Sequence, residues 1–128
     1  MKKWGLILLM LLFLTACGQN HQKEQGVEYV NITAEEAKRI MDSEENYIIL
    51  DTRTQEEYDE SRIPGAILIP YDEILEKAEG VLTDKEQLIL VYCRSGRRSK
   101  LASADLVKLG YTNIKEFGGI IDWPYETE

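Results

Sequence analysis

The chain has 128 residues with 23 acidic and 15 basic side chains, and its formal net charge at pH 7 is −8. This charge argues against a nucleic-acid partner, whose phosphates the protein would repel. The length and the 44% apolar content predict one globular domain after a distinct N-terminal segment.

Residues 1–16 have the features of an export signal. Two lysines precede an apolar run over residues 4–14, and this run is too short to span a bilayer as a permanent helix. The sequence Leu-Thr-Ala-Cys17 that follows resembles the lipobox of bacterial lipoproteins. The resemblance implies cleavage before Cys17 and lipidation of its thiol. A plain secretory signal and an uncleaved anchor are the alternatives.

Cleavage would leave 13 basic and 23 acidic side chains, a charge of about −10, so lipid rather than charge would hold the protein at a membrane. We expect residues 17–28 to form the lipidated Cys and a flexible tether, and residues 29–128 to form the domain. The expected location is extracytoplasmic, on the bacterial cell membrane, or on the outer membrane of a double-membraned cell. The single His21 lies in the tether, so no metal site is predicted.

Strand and helix patterns alternate through residues 29–128. We predict strands over 29–32, 47–50, 66–69, 88–92 and 114–117. Helices are predicted from Thr33, from Thr54 to about residue 60, over 72–79 with a stop at Gly80, and over 97–109. Apolar strands that alternate with helices indicate an α/β fold: one domain, with a mostly parallel sheet of about five strands and helices on both faces.

Two polar segments follow predicted strands, where parallel α/β sheets bind ligands. Asp51 and Arg53 follow the second strand, and the segment Cys93-Arg94-Ser95-Gly96-Arg97-Arg98-Ser99 follows the fourth. The N–H groups of a turn that enters a helix bind anions, and nearby cations favour the thiolate form of a cysteine. We therefore interpret Cys93 as a nucleophile in an anion-binding loop. An inert buried cysteine is the alternative.

This loop resembles the active-site loop of rhodanese-type sulfurtransferases, which has the pattern C-x-x-G-x-R. Three further motifs resemble those of the family and stand in the expected order: Asp51-Thr52-Arg53 with Glu57 and Tyr58, Arg62-Ile63-Pro64-Gly65-Ala66, and Gly118-Gly119 with Trp123. Arg62 stands where the family usually has His. The resemblance covers nearly all of the predicted domain.

The resemblance implies a single-domain sulfurtransferase that needs no cofactor. The Cys93 thiolate would take a sulfane sulfur from a donor such as thiosulfate, and a thiol or cyanide would remove it from the persulfide. Backbone N–H groups of residues 94–99 would hold the persulfide anion. Arg94 and Arg98 are the candidates for binding an anionic donor, although Arg98 could support the loop instead. Asp51 and Arg53 are expected to be scaffold that pairs or braces the loop.

Two other functions stay open. A phosphatase or arsenate reductase of the same fold normally has Arg six positions after the Cys, where this chain has Ser99. A non-catalytic persulfide carrier or interaction module would serve a membrane redox or sulfur-relay protein. Such a carrier shares the first chemical step, so only turnover separates it from an enzyme.

Overall fold

The computed structural model describes residues 28–128. The predicted signal segment, Cys17 and nearly all of the tether lie outside the described residues. Within residues 28–128, the helices are all too short or too polar to cross a membrane.

Strands and helices alternate along the described part of the chain. The strands are β1 (Val30–Asn31), β2 (Tyr47–Asp51), β3 (Ile67–Leu68), β4 (Leu88–Cys93) and β5 (Ile114–Gly119). The α-helices are α1 (Ala34–Ser43), α2 (Gln55–Glu60), α3 (Ile74–Val81) and α4 (Arg97–Lys108), and short 3-10 helices cover Tyr71–Glu73 and Ile120–Asp122. The predicted order of elements is thus confirmed, with shorter edge strands than expected.

The strands form one parallel sheet in the order β1-β5-β4-β2-β3. This arrangement confirms the predicted α/β fold. β4 lies between β2 and β5, and the register places Tyr92 beside Asp51 and Cys93 beside Gly119. The carboxyl ends of the three central strands therefore converge on Cys93.

Alternate residues of β4 face two different cores. Ile89 and Val91 pack in a cluster that includes Leu106 of α4, while Leu90 and Tyr92 pack in the cluster on the opposite face. Each such buried aliphatic side chain contributes about 1.5–3 kcal/mol to folding. Because both faces of β4 are buried, its continuous apolar sequence holds the backbone before Cys93 in a fixed position.

Both predicted helix starts form complete capping boxes, Thr33 with Glu36 and Thr54 with Glu57. The predicted helix stop at Gly80 is wrong, because α3 continues through Gly80 to Val81. The N–H of Leu82 still bonds the carbonyl of Ala78, and Leu82 is buried in the core. Packing of this last turn outweighs the low helix propensity of glycine.

Candidate active site

Cys93 is fully buried at the end of β4, where the chain turns into α4. Its Sγ accepts a hydrogen bond from the Gly96 N–H over 3.0 Å and donates one to Ser99 Oγ over 3.2 Å. Gly96 has a φ of 107°, a left-handed conformation that side chains disfavour, and it caps the start of α4. The loop therefore folds back on the sulfur, with the helix N-terminus directed at it.

Ser99 connects the Cys93 sulfur to a buried carboxylate that the sequence interpretation missed. Ser99 Oγ lies 2.6 Å from Oε1 of Glu116, which is 1% exposed. The same oxygen accepts the Gly118 N–H over 2.9 Å, and Oε2 lies 3.4 Å from Lys100 Nζ. The two charged residues of β5, Lys115 and Glu116, are adjacent in sequence, and nothing in the sequence showed that Glu116 points inward beside the nucleophile.

Arg98 is joined to Glu57 by a two-pronged ion pair, with distances of 2.6 and 2.9 Å. The hydrogen bond from Arg98 lowers the pKa of Glu57 to about 2, and the same bond raises the pKa of Arg98. The positive charge of Arg98 is thus paired with the Glu57 carboxylate of α2. This placement favours the loop-supporting alternative for Arg98 over donor binding.

The other polar side chains of the loop lie at its surface. Arg94, Ser95 and Arg97 are exposed. Arg94 lines a shallow cavity of about 310 Å³ together with Arg53. The guanidinium carbon of Arg97 lies 5.9 Å from the ring centre of Tyr71. Arg94 and Arg97 are therefore the loop arginines that an incoming anion can reach.

Asp51 and Arg53 pair with each other in the interior. The Arg53 guanidinium donates to both carboxylate oxygens of Asp51 and to the carbonyl of Ser61. Burial, the largest single effect, would lower the pKa of Arg53, but the hydrogen bond to Asp51 and the charge of Asp51, with smaller effects of Tyr92, together outweigh it and the pKa is raised. The Tyr92 hydroxyl donates to Asp51 over 2.7 Å, and burial together with this bond raises the pKa of Tyr92. The pair therefore fixes the residue that precedes Cys93.

Thr52 and Gly119 hold the base of the loop from the two neighbouring strands. Thr52 donates hydrogen bonds to the Tyr92 carbonyl from its N–H and from its hydroxyl. A Cβ atom on Gly119 would collide with the carbonyl group of Arg94 and lie 2.6 Å from Ser95 Cα. The loop backbone thus packs directly on Gly119. The Gly118-Gly119 pair was the sequence signal for this contact, whereas nothing singled out the role of Thr52.

The chain belongs to the Rhodanese-like domain family, whose sequence profile matches residues 33–124. It is 36% identical over 112 residues to YrkF of Bacillus subtilis (strain 168), a protein whose name describes a proposed sulfur carrier. That match covers 87% of this chain and 60% of YrkF, so this chain spans less than two thirds of that relative. It is 37% identical over 73 residues to the thiosulfate sulfurtransferase PspE of Escherichia coli (strain K12), covering 57% of this chain and 70% of PspE.

Solved structures agree with the fold. A rhodanese with anions from E. coli superposes with a TM-score of 0.60 at 33% identity, covering 64% of this chain and 96% of that one. The Alr3790 protein from Anabaena sp. reaches a TM-score of 0.70 at 26% identity, covering 76% of this chain and 90% of the other. The family and the sulfurtransferases among its relatives support a rhodanese-type sulfur-transferring enzyme.

Proposed function

We propose that Cys93 carries a sulfane sulfur, taken from a donor such as thiosulfate and passed as a persulfide to a thiophilic acceptor. The observation that supports this most is the position of Cys93 Sγ, 3.0 Å from the Gly96 N–H at the start of α4. An anion at this sulfur, or one atom beyond it, meets N–H groups and the positive end of the helix dipole.

The chemistry takes two displacement steps. The Cys93 thiolate attacks the outer sulfur of thiosulfate, and an S–S bond forms between Cys93 Sγ and that sulfur. The S–S bond of thiosulfate breaks, and its electron pair leaves with sulfite. The acceptor, cyanide or a thiol, then attacks the outer sulfur of the persulfide, and the Cys93 thiolate leaves. The Gly96 N–H is oriented at the sulfur before the reaction, so it stabilises the charge at no cost of reorganisation.

The donor is an anion that a protein of net charge −8 would repel at long range. Arg94 and Arg97 offset this repulsion locally, because both are exposed beside Cys93. Arg98, paired with Glu57, acts on the loop geometry instead. Arg94 is thus the leading candidate to hold the donor.

Membrane attachment through a lipid on Cys17 belongs to the same proposal. Its support is the lipobox-like Leu-Thr-Ala-Cys17 and the acidic charge, which rules against attraction to anionic lipid. A bacterium that expresses the full chain should incorporate labelled fatty acid into it. The Cys17→Ala variant should incorporate none, and equal labelling of both would refute the anchor.

The function is tested by counting turnovers. The purified domain is mixed with excess thiosulfate and cyanide, and thiocyanate is measured against the protein concentration. We expect many equivalents of thiocyanate from the native domain and none from Cys93→Ser. One equivalent only would make the protein a persulfide carrier. Hydrolysis of a small aryl phosphate, without thiocyanate, would identify a phosphatase.

A further inference from the structure

A buried carboxylate lies two hydrogen bonds away from the Cys93 sulfur. Cys93 Sγ lies 3.2 Å from Ser99 Oγ, and Ser99 Oγ lies 2.6 Å from Glu116 Oε1. All three side chains are almost completely removed from solvent. The two displacement steps give Glu116 no task.

A purely structural role explains Glu116 poorly. Burying a carboxylate costs several kcal/mol unless it is well paired. Among residues 28–128, the cation paired with Glu116 is Lys100, which is half exposed and 3.4 Å away. A neutral glutamine could accept the same hydrogen bonds from Ser99 and Gly118 without that cost. A permanent negative charge here also disfavours a thiolate on Cys93. Glu116 thus opposes the reaction unless it takes up a proton when the thiolate forms.

The single hydrogen of the Ser99 hydroxyl ties the two acidic groups together. When Cys93 is a thiol, its S–H points to Ser99 Oγ. The Ser99 O–H has two near acceptors, Glu116 Oε1 at 2.6 Å and the Gly96 carbonyl at 3.0 Å, and the shorter contact with the charged carboxylate takes the hydrogen. When Cys93 is a thiolate, the Gly96 N–H still donates to its sulfur, but the 3.2 Å contact with Ser99 Oγ is a hydrogen bond only if Ser99 donates. Ser99 can donate to the sulfur and keep its contact with Glu116 only if Glu116 donates in turn. Both hydrogen bonds then reverse direction with the heavy atoms in place.

We infer that Glu116 is a positioning residue that stores the proton of Cys93, relayed by Ser99. The thiol proton moves to Ser99 Oγ while the Ser99 hydroxyl proton moves to Oε1 of Glu116. One S–H and one O–H bond break, two O–H bonds form, and nothing is oxidised or reduced. The proton returns by the same route when the acceptor releases the thiolate. This inference rests on the proposed function only in taking Cys93 as the nucleophile.

Charged side chains lie beside both ends of the hydrogen-bonded series Cys93–Ser99–Glu116. Lys100 Nζ of α4 lies 3.4 Å from Oε2 of Glu116, while the charge of Arg98 acts on Cys93. β1, which flanks β5, has no titratable side chain. On β4, Tyr92 faces the opposite core, so Cys93 is the titratable group of that strand beside Glu116. The two cations therefore oppose each other, because Lys100 disfavours the proton on Glu116 and Arg98 disfavours it on Cys93.

The test is the rate of Cys93 alkylation by iodoacetamide as a function of pH, from about pH 5 to about pH 8. In the native protein the thiolate forms by an internal transfer that releases no proton to solvent, so the rate should vary by less than about twofold. In Glu116→Gln the proton must leave to solvent. Its rate should rise about tenfold per pH unit below the titration of the thiol.

Three variants make the result specific. Asp59→Asn removes the same charge from an exposed carboxylate of α2 and should keep the flat profile. Ser99→Ala should show the steep profile, and Ser99→Thr, which retains a hydroxyl, should restore the flat one. A steep profile in the native protein, or a flat one in Glu116→Gln, would overturn the inference.

Infrared spectroscopy gives a second reading that needs no variant. The native protein near neutral pH should show a protonated carboxylic acid band that alkylation of Cys93 abolishes, because the alkylated sulfur leaves Glu116 ionised. An unchanged spectrum would contradict the inference even if Glu116→Gln failed to fold. Alkylation uses no sulfur donor, so this result stands apart from success or failure of the thiocyanate assay.

Discussion

The guanidinium group of Arg98 donates two hydrogen bonds to the carboxylate of Glu57, across 41 residues of sequence. Glu57 also completes the capping box of α2 with Thr54. The Glu57 carboxylate therefore caps the start of α2 and also binds Arg98 in the first turn of α4. The loop around Cys93 is fixed at its C-terminal end by this bridge.

Replacing Glu57 with Gln should weaken the bridge but keep the capping box, since Gln also serves in such boxes. The folded pKa of about 2 lies below the ordinary 4.5, so the ion pair stabilises the protein above about pH 4.5. That stabilisation is lost as the pH falls towards 2. We expect Glu57→Gln to cost about 1 kcal/mol at pH 7 and much less near about pH 2. Urea unfolding at both pH values measures this, and an equal cost at both would contradict it.

Asp51→Asn should be far more damaging. It leaves Arg53, which is 5% exposed, without its carboxylate partner, and an uncompensated buried charge costs about 3–5 kcal/mol. The exposed Asp59→Asn is the control and should change stability by less than about 0.5 kcal/mol. Thermal and urea unfolding give both values. Similar losses for the two variants would show that the Asp51–Arg53 pair is not the support described.

Gly119→Ala should displace the loop, because its Cβ would occupy the space of the Arg94 carbonyl group. We expect a loss of sulfurtransferase activity of at least about tenfold, since misplacing a catalytic group by about 1 Å can cost a hundredfold. Gly80→Ala is the matched control, because its Cβ meets nothing within 4 Å inside α3. It should retain activity and gain about 0.5–1 kcal/mol of stability. Full activity in Gly119→Ala would refute the close packing.

Arg94→Ala should weaken donor binding without changing the chemistry at Cys93. Losing one charged contact to an anion should raise KM for thiosulfate about tenfold and leave kcat within about twofold. Arg39→Ala, an exposed arginine on α1, should leave both constants unchanged. An unchanged KM in Arg94→Ala would move the donor site elsewhere, with Arg97 as the next residue to vary.

The sequence predicted the layered fold well because its signals are local. The apolar run Leu88–Tyr92 and the two capping boxes describe structures that neighbouring residues make by themselves. Gly80 shows the limit, since the packing of Leu82 in the core decided where α3 ends. The low helix propensity of Gly80 alone does not predict the packing of Leu82 in the core.

The candidate site was predictable in its loop and not in its supports. Cys93 and Gly96 are neighbours in sequence, and their chemistry follows from a strand that turns into a helix. The partners of Arg98 and Ser99 are Glu57 and Glu116, which lie 41 and 17 residues away. Only the strand order brings those carboxylates to the loop. Glu57 belonged to a recognised motif but its contact with Arg98 was not predicted, and Glu116 had looked like an ordinary surface charge in an acidic chain.

The most direct test of the central claim is the intact mass of the soluble domain after incubation with thiosulfate. We predict that the native domain gains the mass of one sulfur atom and loses it to cyanide as thiocyanate. Cys93→Ser should gain nothing. If the native domain stays unmodified with thiosulfate and also with polysulfide donors, Cys93 does not carry sulfur and the proposed function is wrong.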